Sequence, residues 1–392
     1  MLKILTVFGT RPEAIKMAPL IKELESHKEI KNLVAVTAQH REMLDMVLDL
    51  FGILPDYDLD IMRQEQTLTE ITVRALQGLG EILRRERPDL VLVHGDTTTT
   101  FAGSLASFYQ QIPVGHVEAG LRTDNKYAPF PEEINRRLTG VLADWHFAPT
   151  RTAKESLLRE GVASSRIFVT GNTVIDALYA TLRRECDLTR YHQLDRVDFS
   201  RRILLVTSHR RENLGEPMRE IFLALREIVN NYPQVEIVFP VHKNPLVRSA
   251  AEEILGGMAR VHLIEPLDYQ PFIHLMAKSY LVLTDSGGLQ EEAPALGKPV
   301  LVLRETTERP EAVEAGTVLL AGTSGKEVYE KTAALLDDED RYRQMAEAVN
   351  PYGDGQASRR IAQAILYVFG LSKEPPDEYE YDPTGTGRPG PR

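Results

Sequence analysis

A single cysteine, Cys186, stands in a chain of 392 residues. No intramolecular disulfide can form, and a cysteine-ligated zinc or iron–sulfur site lacks its ligands. A reducing cytoplasm is the expected compartment. No apolar run approaches the roughly 20 residues that a membrane-spanning helix needs. The opening, MLKILTVFGTRPEAIKMAPL, has neither the long apolar region nor the small-residue cleavage site of a secretory signal. Nucleotide and metal fingerprints are missing too. No GxGxxG follows the first strand, so a nicotinamide or flavin is not expected, and neither GxxxxGK[ST] nor GxSxG occurs. The ten histidines form no HExxH or comparable ligand spacing, so no metal is expected. A net charge of -11 leaves little basic surface to displace counterions from nucleic acid. An anionic ligand would need a locally positive pocket.

What is present is the balance of a globular protein, 43% hydrophobic and 26% charged, long enough for two domains. Short β-branched runs alternate with amphipathic stretches, the pattern of βαβ units and parallel sheets. One series of strands is expected at 3–8, 33–37, 90–94, 114–117, 145–148 and 167–170. A second follows at 203–207, 235–239, 261–264, 281–283, 300–303 and 318–320. Two series imply two sheets, and the fold class is α/β with two Rossmann-like domains. The expected divisions are residues 1–170, residues 171–354, a C-terminal helix over 355–371 that crosses back to the first domain and a flexible acidic tail over 372–392.

In open parallel sheets, ligands bind beyond the carboxyl ends of the strands. Polar residues collect there in this chain. Gly9-Thr10-Arg11 follows the first strand, with Lys16 farther into the next helix; Gly9 suits a tight turn, and Arg11 with Lys16 adds positive charge near a helix N-terminus. Asp96 follows the 90–94 run, where capping the next helix is its simplest role. Glu118 precedes Ala119-Gly120, an unusual place for a cap. Glu132 and Arg136 lie on a helix starting near Pro131, and early carboxylates suit a helix dipole as well as chemistry. In the second series, Ser208-His209-Arg210-Arg211-Glu212-Asn213 crowds a strand end. Basic and amide groups there are costly to bury unpaired and suit an anion-accepting cleft. His242 reads most simply as a structural histidine. The strongest local signal is Thr284-Asp285-Ser286-Gly287-Gly288, where glycine amides and the Ser286 hydroxyl can meet a phosphate and Glu292 can reach a ribose diol.

Taken in order, GTRPEAIKMAPL, VHGDTTTT, GHVEAGLRT, PFPEEINRRL, TSHRREN, TDSGGLQEEAPALGKPVLVLR and TTERPE resemble the non-hydrolysing UDP-N-acetylglucosamine 2-epimerases. The resemblance runs from residue 9 to residue 311. It implies a GT-B-like arrangement with a cleft between the two domains, a homodimer, no cofactor, and reversible conversion of UDP-N-acetylglucosamine to UDP-N-acetylmannosamine. It implies that Ser286, Gly287 and Gly288 hold the diphosphate, Glu292 the ribose, and Leu267 with Phe272 the uracil, while Arg11 and Arg309 pair with phosphate. Lys16, Asp96, Glu118, Glu132, Arg136, Asn172 and His209 would line the sugar, with proton transfer among Asp96, Glu118 and Glu132. Gln39, Glu132, Arg211 and His242 match a regulatory site of the family. Glu42 and Glu65 place carboxylates where regulated members carry Gln and Arg, so weak or absent substrate activation is expected. The alternatives are a hydrolysing relative, a glycosyltransferase on the same scaffold, or a UDP-sugar sensor.

Overall fold

The computed structural model describes residues 1–38, 41–63 and 65–382, with side chains omitted at 41–43. The chain forms two compact units: Met1–Ala180 with Tyr352–Glu380, and Thr181–Pro351 with Tyr381 and Asp382.

In the first unit the strands are β1 (Leu2–Phe8), β2 (Ile30–Val36), β3 (Tyr57–Asp58), β4 (Leu90–His94), β5 (Val114–Val117), β6 (Trp145–Ala148) and β7 (Ile167–Val169). They form one parallel sheet in the order β3-β2-β1-β4-β5-β6-β7. The helices are α1 (Arg11–Ser26), α2 (Arg41–Phe51), α3 (Leu68–Glu86), α4 (Thr98–Tyr109), α5 (Glu132–Leu142), α6 (Arg151–Arg159) and α7 (Thr173–Leu182). Strand β1, LKILTVF, is buried along nearly its whole length, as a central parallel strand covered on both faces should be. The division between units falls inside α7.

The second unit repeats the plan. Strands β8 (Arg202–Thr207), β9 (Val235–Pro240), β10 (Val261–Ile264), β11 (Leu281–Thr284), β12 (Val300–Val302) and β13 (Val318–Leu320) pair in parallel in the order β10-β9-β8-β11-β12-β13. Its helices are α8 (Glu216–Asn231), α9 (Pro245–Leu255), α10 (Tyr269–Lys278), α11 (Leu289–Ala295), α12 (Pro310–Glu314), α13 (Gly325–Asp337) and α14 (Glu339–Glu347). Leu204, Ile237, Leu283, Phe222 and Phe239 anchor its core, each contributing about 1.5–3 kcal/mol on burial. In both units the strand order reverses beside the first strand, between β1 and β4 and between β8 and β11. Loops leaving those strands open the crevice where such sheets take ligands.

The last helix, α15 (Ala357–Val368), belongs to the first unit, where the Asp176 carboxylate accepts from the amides of Ala357 and Ser358 at 3.2 and 2.8 Å. Burial pushes that carboxyl up to about 6. Beyond α15, part of the segment expected as a flexible tail from residue 372 packs on the first unit. The Tyr379 amide donates to Val169 O at 2.7 Å, Lys154 Nζ lies 2.8 Å from Glu378 Oε1, and Arg360 sits over the Tyr379 ring. Residues 383–392 lie outside the described chain. Strand β3, only two residues long, has no β-branched run to announce it.

Candidate active site

In the first unit three loops leave the carboxyl ends of β1, β4 and β5. Gly9 is needed after β1 for space rather than for a positive-φ turn: a Cβ there would lie 2.1 Å from Thr37 Oγ1. The next turn is fixed by Glu13, whose buried carboxylate accepts from the amides of Gly9 and Thr10 at 3.1 and 2.8 Å and from Thr97 Oγ1 at 2.7 Å. One carboxylate thus ties the loop before α1 to the loop before α4. Arg11 opens α1, and Lys16 follows on the same helix.

After β4, Gly95 turns the chain at φ +67° and Asp96 follows. The structure gives the capping role to Thr97, whose hydroxyl accepts from the Thr100 amide at 3.2 Å. Asp96 Oδ2 instead lies 2.6 Å from Arg136 Nη2, while Asn135 Nδ2 donates to Asp96 O at 2.9 Å. His116, on β5, braces the same turn with Nε2 2.7 Å from Gly95 O. Burial drives its pKa down to about 3, so the ring is neutral and donates to that carbonyl.

Glu118 follows β5 at φ +61°, a left-handed conformation that costs a non-glycine residue about 1–3 kcal/mol and tends to mark functional positions. Its Oε2 receives both the Lys16 ammonium and Asn172 Nδ2, the latter at 2.7 Å. Glu132 is the first residue of α5, with its Oε2 buried. The first unit therefore gathers Lys16, Glu118 and Asn172 in one cluster and Asp96 with Arg136 in another.

The second unit uses its switch point differently. Asp285, fully buried after β11, accepts at Oδ2 from the amides of His209 and Arg210 at 2.8 and 2.9 Å, and its Oδ1 lies 3.0 Å from His209 Nδ1. Burial raises its pKa, but the His209 contact and the backbone donors outweigh this and hold it below the usual carboxylate range. That anion fixes the loop after β8. Arg210 Nε donates to Asp285 O at 3.3 Å, and its Nη2 comes within 3.9 Å of where a Gly287 Cβ would stand. Ser286, Gly287 and Gly288 lead into α11, with the Ser286 amide held by Thr284 Oγ1 at 2.9 Å. Within α11, Glu292 Oε1 accepts from Tyr269 OH at 2.9 Å. Leu267 is buried before α10 and Phe272 is half-buried on it. Arg309, expected to pair with phosphate, is buried; its Nε pairs with Glu291, and its Nη1 donates to Glu308 O at 3.1 Å.

Of the expected regulatory group, Gln39 and the Glu42 side chain lie outside the described residues. His242 is exposed, with its ring 5.7 Å from that of His209, and Arg211 is exposed beside it in sequence to Arg210. Among the described residues no cluster of three or more His, Cys, Asp or Glu is arranged to hold a metal ion, and no helix is long and apolar enough to cross a membrane.

Sequence reasoning missed Asp285, His116 and Glu13 as site residues. Each stands inside a quoted motif or strand end, but only the fold shows which side chains turn inward to brace a loop.

A family model described as UDP-N-acetylglucosamine 2-epimerase matches residues 22–366. The chain is 60% identical over 378 residues to the UDP-N-acetylglucosamine 2-epimerase of Bacillus subtilis, covering 96% of this chain and 98% of that one. It is 57% identical over 371 residues to the enzyme of the same name from Escherichia coli K12, covering 93% and 98%. A UDP-GlcNAc 2-epimerase from Neisseria meningitidis, solved bound to UDP-GlcNAc, superposes with a TM-score of 0.85 at 53% identity, covering 93% of this chain and all of that one.

Proposed function

This chain belongs to the UDP-N-acetylglucosamine 2-epimerase family, and from that premise we propose that its first unit supplies the acid–base groups for inversion at C2 while its second unit holds the uridine diphosphate. The protein is a carbohydrate epimerase of the non-hydrolysing kind. The hydrogen to be moved sits on a carbon with no adjacent carbonyl carbon, so a simple enolate cannot acidify it. Breakage of the C1–O bond can. As the bond to the diphosphate lengthens, positive charge at C1 acidifies C2–H; a carboxylate takes the proton, the C2–H electrons form the C1=C2 bond of 2-acetamidoglucal, and UDP departs with the C1–O pair. Return of UDP to C1 with a proton delivered to the other face of C2 gives UDP-N-acetylmannosamine.

The observation that carries this reading is Glu118, held at φ +61° after β5 with Lys16 and Asn172 on one carboxylate oxygen. Asp96, poised by Arg136, and Glu132, at the start of α5, are the other candidates for the two faces. In the second unit His209, Arg210, the Ser286 hydroxyl and the Gly287 and Gly288 amides suit a departing diphosphate, whose charge they would stabilise most as it develops. Glu292, fixed by Tyr269, suits the ribose, and Leu267 with Phe272 the base. Arg11 at the start of α1 suits phosphate.

The protein is a homodimer in this proposal. Ile134, Leu138 and Val141 form an exposed apolar stripe on α5, with Phe108 and Tyr109 exposed at the end of the neighbouring α4. A second copy would cover them. A lone cysteine and a nucleotide-sugar substrate suit the cytoplasm.

The test is incubation with UDP-N-acetylglucosamine in deuterated water without added cofactor, followed by proton NMR. UDP-N-acetylmannosamine carrying deuterium at C2 is expected. Free N-acetylmannosamine would mark hydrolysis, and unchanged substrate with bound nucleotide would mark a sensor.

A further inference from the structure

His94 ends β4 under the acid–base cluster, and its imidazole is only 3% exposed. Both ring nitrogens are buried, and neither is hydrogen-bonded to another described residue. Buried polar atoms are almost always paired, and a valine or leucine would fill a strand end without this cost. The ring points at chemistry: Nε2 lies 3.9 Å from Glu118 Oε2, the oxygen that also takes Lys16 and Asn172.

We propose that His94 is a positioning residue for Glu118, donating an Nε2–H hydrogen bond to the carboxylate when Lys16 turns from Glu118 to the substrate. The inference rests on reading Glu118 as an acid–base group of the epimerase. Lys16 carries a point charge on a flexible stem, and an ammonium drawn to substrate oxygens cannot keep its place on Glu118. A carboxylate oxygen that loses one donor regains capacity to accept another. A shift of about 1 Å brings Nε2 into hydrogen-bonding range. The charged and titratable groups facing the ring are Glu118 after β5, Lys16 from α1 and His116 on the adjacent strand. Burial holds the imidazole pKa down to about 4, with Lys16 acting in the same direction and Glu118 against it. A neutral ring donates without bringing a charge and without competing for the C2 proton.

The experiment compares full-length wild type, His94→Leu and His94→Gln, with circular dichroism to confirm folding. Steady-state epimerisation is followed from pH 5 to 9. His94→Leu should lower kcat about 10- to 100-fold with KM nearly unchanged, and should move the acid limb of the kcat profile upward. His94→Gln, which keeps an N–H in reach, should recover most of kcat and return the limb. Unaltered His94→Leu kinetics, or equal losses in both variants with an unshifted limb, would overturn the proposal while leaving the active wild type to support the epimerase reading. An inactive wild type would defeat both. If His94→Leu does not fold, the wild type labelled with 15N-histidine decides. The Nε2–H tautomer with a signal that moves on adding UDP-N-acetylglucosamine supports the role; an Nδ1–H tautomer or an unmoved signal overturns it.

Discussion

The two units share one strand order over six strands and arrange their charged residues differently beyond it. In the first, cations steady the carboxylates: Glu118 with Lys16, Asp96 with Arg136. In the second the anion is buried: Asp285 lies beneath the loops and presents His209, Arg210 and the glycines outward. Topology sets where chemistry happens, and the choice of which charge is buried sets what kind. In the proposed reading one unit moves protons and the other binds an anion.

The sharpest way to break that division is Glu118→Gln. We expect kcat to fall about 10³-fold, within the span of general acid–base catalysis, with UDP affinity changed less than about twofold by calorimetry. Equal losses of both would make Glu118 a binding residue. The mirror experiment, Asp285→Asn, removes the buried charge that holds the amides of His209 and Arg210. UDP affinity should drop about tenfold, roughly 1.4 kcal/mol, with kcat at saturation reduced far less.

The units should also differ in acid. The first holds His94, His116 and His146 neutral by burial, with pKa values lowered to about 4, 3 and 4. Unfolded histidines take up protons near pH 6.5, so the stability linked to these three is present above that value and is lost as pH falls toward 4. Asp176, raised to about 6, acts the other way, favouring the folded state below about 4 and losing that contribution as pH rises through 6. Glu13, also raised by burial, acts with Asp176, so three histidines oppose two carboxyls. Trp145, the only tryptophan, lies on β6 of the first unit, so its fluorescence should report unfolding between pH 6 and 4. Hydrogen exchange in β8, β9 and β11 should stay slow at a pH where Trp145 has already changed; simultaneous loss would contradict the comparison. The smallest effect concerns the docked segment. Truncation after Leu371 removes the Lys154–Glu378 pair and the Tyr379 contacts and should lower the melting temperature of the first unit by about 2–4 °C in calorimetry.

Most of the scaffold was legible because parallel strands buried on both faces are continuous apolar runs. The runs at 114–117, 145–148, 261–264 and 318–320 coincide with β5, β6, β10 and β13. Strand β3 escaped because two paired residues leave no pattern. The strand-end rule picked out Asp96, Glu118, His209 and Ser286 as candidates, since polar residues following an apolar run are visible in one dimension. It could not show that Asp285 turns inward, that Arg309 is taken up by Glu291, or that Gly9 is required by Thr37, because those facts belong to the neighbouring strand or helix. The docking of residues 377–379 was hidden by a composition rich in Pro, Gly and acid.

The division of labour is tested most directly by measuring C2 hydrogen exchange and UDP binding side by side in Asp96→Asn and Glu132→Gln. Exchange suppressed at least about 100-fold in one or both variants, with nucleotide affinity intact, is the predicted result. Exchange at the wild-type rate in both, or nucleotide binding lost in step with exchange, would contradict it.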